Sequence, residues 1–187
     1  MNTFKAYYHY VNDPINALKT LCRQRAFKEA FWGYFVAALS WVLFFNIGSG
    51  ISIPVFLLKL SILFIAEITA GYVAASLGSL FLDFSSIKAS AASLFILAGT
   101  SGFVKALLVA FALIAAAFPF AKLEYLAPIA LLLVLGLQLG YLTRGVMRLY
   151  KTGAGKALTS WLFTIVPLLM LCVLCGIFLI WGMVLLF

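Results

Sequence analysis

The chain has 187 residues, of which 13 are Lys or Arg, 5 are Asp or Glu and one is His. Charged side chains make up 10% of it, against about 25% in soluble domains, while 66% are hydrophobic and the mean hydropathy is +1.17. A water-soluble globule of this size has too little interior to bury so much apolar surface, so a soluble fold is excluded and the bilayer becomes the solvent.

The first 29 residues are polar and aromatic, with no apolar core leading to a small-residue cleavage site, so no removable signal peptide is expected. Asp13 and Pro14 suit the cap and first position of a helix, because Asp accepts orphan amide hydrogens and Pro has none to lose. From there Ile15, Leu18, Leu21, Cys22 and Phe27 lean to one face and Lys19, Arg23 and Arg25 to the other. That pattern predicts a short amphipathic helix in the headgroup region, with Tyr7, Tyr8 and Tyr10 at the same interface. A solvated helix packed on the loops is the alternative, since the apolar stripe is short. His9 reads as an interfacial residue, and Cys22, near the membrane surface, as a candidate for acylation.

Five apolar runs follow, at about 30–47, 54–82, 94–118, 126–143 and 161–187. Each is long enough for a helix that satisfies its own backbone in lipid. Breakers separate them: Asn46 to Gly50, Asp83 to Ser86, Pro119, and Gly153 to Gly155. The expected fold is all-α, a polytopic bundle of five transmembrane helices forming one membrane domain over 1–187, with 1–29 as a cytoplasmic or interfacial segment. Lys5, Lys19, Arg23, Arg25 and Lys28 precede the first run, Lys88 lies between the second and third, and Arg144, Arg148, Lys151 and Lys156 lie between the fourth and fifth. Only Lys122 falls on the opposite side. Cations collect in short cytoplasmic loops, so the N-terminus is expected inside and Phe187 outside, and the net charge of +8 needs no nucleic acid to explain it.

Two charges, Lys59 and Glu67, fall within the second run. Its fifteen Leu, Ile, Val and Phe residues between Val55 and Leu82 favour insertion by about 7 kcal/mol, and two central charges cost about 6, so this helix inserts marginally without neighbours. Small residues allow close neighbours: Ala70, Ala74 and Gly78 recur every four positions, as do Gly71, Ala75 and Ser79. The third run returns through the membrane and puts Lys105 at a depth similar to Glu67, which predicts a buried Glu67–Lys105 pair. Lys59, two turns nearer the outer side, is expected to snorkel instead. Such a pair can fix helix register and nothing more.

Gly99, Thr100, Ser101 and Gly102 interrupt the third run and suit either a bend that opens backbone to a solute or a close helix neighbour. In the fourth run, Gly136 and Gly140 have contact spacing, with Gln138 between them as an interhelical hydrogen bonder. Cys172 and Cys175 form C-x-x-C inside the last run, where low dielectric disfavours thiolate, so packing is the expectation. No carboxylate pair, phosphate loop, dinucleotide fingerprint or metal-ligand spacing occurs, and neither an enzyme nor a cofactor is expected.

Asp13-Pro14-Ile15-Asn16-Ala17-Leu18, followed by Phe31-Trp32-Gly33-Tyr34, resembles the D-P-x-x-A-[FL] opening of the Yip family of Ypt/Rab-interacting membrane proteins, in its bacterial branch. Leu135-Gly136-Leu137-Gln138-Leu139-Gly140-Tyr141, then Lys151-Thr152-Gly153 and Lys156-Ala157-Leu158, is similar to that family's passage from fourth to fifth helix. The family's frequent proline in the third helix has no counterpart between Gly99 and Gly102. The resemblance implies a five-helix integral domain of the bacterial inner membrane with a cytoplasmic N-terminus, and supplies no catalytic residues.

Function is therefore expected to be non-enzymatic: an organiser or adaptor whose basic face of Lys19, Arg23, Arg25, Lys28, Arg144, Arg148, Lys151 and Lys156 holds membrane lipids, other membrane proteins or further copies of the chain. The same charges can equally serve orientation alone. The alternative is a small-solute or ion transporter with Lys59, Glu67 and Lys105 as an intramembrane polar site.

Overall fold

The computed structural model describes Thr20, Cys22 and residues 26–46, 52–118, 123–167 and 170. The described residues contain helices and connecting turns and no strand. The amphipathic helix expected from Asp13, its cations Lys19, Arg23 and Arg25, and the Cys172/Cys175 pair lie outside the described residues.

Helix α1 spans Phe27–Phe45 and α2 spans Ile53–Phe84, the latter opening on Pro54, whose missing amide hydrogen costs nothing in a first turn. A left-handed Ser86 (φ 62°) and the Asp83 carboxylate, which accepts from the Ala89 amide at 2.9 Å, turn the chain back into α3, Ala91–Ser101. Helix α3 runs without a break into a 3-10 turn, Gly102–Lys105, and then into α4, Ala106–Ala117. A second 3-10 turn, Leu123–Leu126, leads into α5, Ala127–Tyr150. A further helical stretch occupies 154–167.

Three segments are long and apolar enough to cross a membrane: Ile53–Phe84, the continuous Ala91–Ala117, and Ala127–Tyr150. The Ala91–Ala117 segment is the axis of the bundle, with more than half of its most apolar stretch buried, whereas the corresponding stretch of α2 lies on the outside. Two apolar clusters are arranged along that axis. One gathers Tyr34, Leu82, Leu94, Leu97, Val146 and Trp161; the other gathers Phe44, Val104, Leu108 and Val134.

Two expectations need correction, and the choice left open at Gly99 to Gly102 is decided for packing. The 126–143 run continues as helix through Tyr150, because Leu142 and Val146 bury one turn apart while Arg144 and Arg148 project from the other side. Those two arginines therefore stand on helix, and the connection to the next helical stretch is only residues 151–153, entered through a left-handed Lys151 (φ 51°). The Gly99 to Gly102 segment does not open backbone to a solute: it packs against α1, where a Cβ on Gly33 would collide with the Gly99 carbonyl and one on Gly102 would come within 2.7 Å of the Gly33 carbonyl. Cys22, expected near the membrane surface as a candidate for acylation, has a buried side chain, at 4% exposure, and donates to the Ser93 carbonyl at 3.4 Å. Burial pushes its thiol up from 9.0 to about 12, which removes the accessible nucleophile that acylation requires.

Candidate functional site

The chemistry-bearing residues fall into two groups, one inside the bundle and one at its end. Inside, Glu67 near the middle of α2 accepts at Oε1 from Lys105 Nζ at 2.5 Å and from Trp41 Nε1 at 2.6 Å. The Lys105 side chain is 8% exposed and that of Glu67 18%. The ammonium also lies 5.1 Å from the centre of the Trp41 ring, in cation–π range, and Phe45 stacks on that indole with centroids 5.3 Å and planes 9° apart. Local backbone explains how Lys105 gets there. Three steps of 3-10 turn carry a side chain about 60° further round than α-helix would, at the point where the tight contact with Gly33 ends.

This arrangement satisfies the carboxylate with two strong donors and neutralises it, which is what a charge taken out of water requires. Around the axis the polar layer continues: Gln138 donates to Ser101 Oγ at 3.3 Å, and the Thr100 hydroxyl returns to the Ile96 carbonyl at 2.7 Å. Lys59 is not part of it. It is exposed on α2 and donates to Asn46 Oδ1 at 2.8 Å.

Trp41 was not among the residues singled out from the sequence, although a signal for it existed. An indole N–H buried in lipid needs an acceptor, and Glu67 is the one carboxylate of five that falls inside an apolar run.

At the end of the bundle where α1 begins, α2 ends, α3 begins and α5 ends, Lys28, Lys88, Arg144, Arg148, Lys151 and Lys156 are all exposed. Tyr150 ties this end together, accepting from the Ser90 amide at 3.1 Å and donating to the Ser90 carbonyl at 3.3 Å. Glu29 and Asp83 are the described carboxylates at this end. Gly136 and Gly140 lie on the open side of α5 with no atom within 4 Å of where a Cβ would sit, in a groove of about 490 Å3 that ends at Arg144.

Among the described residues no group of three or more His, Cys, Asp or Glu side chains has the arrangement of a metal site. Fold and polar layer together define a class: an all-helical membrane protein with three described helices long and apolar enough to span. Comparison with known proteins takes this no further, since no family model, curated protein or solved structure matches the chain.

Proposed function

We propose that this chain is a five-span, non-enzymatic membrane organiser of the Yip type, its N-terminus cytoplasmic and its C-terminus outside, in a bacterial inner membrane. Its basic end holds anionic lipids or acidic partner proteins. The observation that carries this reading is the exposure of six cations at one end of the bundle, while Lys105 is consumed by Glu67. Each exposed cation near a membrane surface contributes about 1 kcal/mol toward anionic lipid.

Changing Arg144, Arg148, Lys151 and Lys156 to Gln, with the N-terminal cations retained to keep orientation, is expected to lower the phosphatidylglycerol that co-purifies with the protein in detergent. Unchanged lipid in that variant would leave the charges as orientation signals and defeat the organiser reading.

The transport alternative needs water at the polar layer. The Glu67 carboxylate already carries two protein donors on one oxygen, and Thr100 is 1% exposed, which supports a structural pair. Cysteine at Thr100 is expected to resist a hydrophilic thiol reagent in vesicles; labelling there would favour transport.

A further inference from the structure

On α1, Lys28, Phe31, Trp32 and Phe35 stand at i, i+3, i+4 and i+7, so one face of the helix carries a cation at its start and three rings below it. With Phe64 of α2 they line an open groove of about 330 Å3. Its walls are preset. Trp32 meets Phe35 edge-on at 5.6 Å, Phe35 meets Phe64 edge-on at 5.9 Å, and Phe31 braces on Phe95 at 6.0 Å. Phe31 and Trp32 are nonetheless 43% and 46% exposed, and among the described residues neither the Lys28 ammonium nor the Trp32 indole N–H has a hydrogen-bond or ion-pair partner. Glu29 does not line the groove.

We infer that this groove binds one anionic phospholipid of the surrounding leaflet, its phosphate on Lys28 and the Trp32 N–H and one acyl chain along Phe35 and Phe64. The inference rests on the membrane reading above and names a ligand for one part of the basic end. Three features select the occupant. The lining holds a cation and no carboxylate, which calls for an anion. The groove descends about 10 Å from Lys28 to Phe35, starting at the end of the bundle that carries Lys88, Arg148 and Lys151, where headgroups lie. Below that level it is aromatic throughout, so a hydrocarbon chain fits where a peptide would leave backbone polar groups unsatisfied.

The test uses the full chain in vesicles of equal parts phosphatidylglycerol and phosphatidylcholine, with Phe35 replaced by p-benzoylphenylalanine and photo-crosslinked lipid identified by mass spectrometry. Phosphatidylglycerol is expected to dominate the adducts several-fold, and Lys28→Gln to reduce that preference about five-fold. Quadruple Gln replacement of Arg144, Arg148, Lys151 and Lys156 is expected to leave the preference at position 35 intact while lowering total co-purified anionic lipid. Adducts in the proportions of the membrane, a preference unmoved by Lys28→Gln, or crosslinking to another part of the chain would each overturn the groove. Loss of preference in the quadruple variant alone would overturn the groove and leave the basic-end reading standing. Unchanged total lipid in the quadruple variant, with the Lys28 effect present, would do the reverse.

Discussion

Glu67 oxygen Oε1 is the point where three helical segments meet, and its two donors come from opposite ends of the intervening sequence. Removing one member of a buried pair costs about 3–5 kcal/mol because the other charge is stranded, so Lys105→Met should markedly lower the melting temperature in micelles. Glu67→Gln added to it should restore most of the loss; strictly additive losses in that double-mutant cycle would show that the two residues are not coupled. Trp41→Phe keeps the ring near Lys105 but deletes the second donor, with an expected cost of about 1.5–3 kcal/mol by the same measurement. Cys22 offers a titration of another kind. Its thiol is raised from 9.0 to about 12 in the folded chain, so its contribution is complete below pH 9 and is lost as pH climbs toward 12. In a Cys172→Ser/Cys175→Ser background it should resist maleimide at pH 8, and rapid labelling under native conditions would contradict its burial.

At the scale of elements, the contact of α1 with the Ala91–Ala117 segment is backbone on backbone, and the two glycines of the outer face of α5 touch nothing. Gly33→Ala should therefore force the helices apart at a cost of about 3 kcal/mol, whereas Gly136→Ala should be neutral or mildly stabilising through helix propensity. Equal effects in parallel thermal melts would contradict this packing. These elements show what a sequence reveals. Hydropathy located α2, the Ala91–Ala117 segment and α5, because a span is a matter of length and composition. Opposed charges at matching depth brought Glu67 and Lys105 together on paper for the same reason. What stayed hidden depends on neighbours. Arg144 and Arg148 look like loop residues until Leu142 and Val146 are seen to bury beside them, and Arg148 in the last turn also suits the helix dipole. The Lys28, Phe31, Trp32 and Phe35 stripe has the spacing of a core face, and only the exposure of its first three residues marks it as a surface.

Over the whole molecule, six exposed cations, Lys59 not among them, define one end, two apolar clusters fill the bundle, and a polar layer lies between them along the central segment. If that end is cytoplasmic, a reporter active only in the cytoplasm should work when fused after Lys156 and fall silent after Phe187; activity at both positions would contradict five crossings. The ion pair also sets a clock on biogenesis. Glu67 and Lys105 are 38 residues apart, so at about 5–20 residues per second the carboxylate emerges from the ribosome roughly 2–8 s before the ammonium that neutralises it. For those seconds α2 holds an unmatched charge and sits near the edge of partitioning. With Cys22 changed to Ser, a cysteine at Ala66 should react with a membrane-impermeant maleimide in nascent chains stalled before Lys105, and be protected in chains stalled well after it.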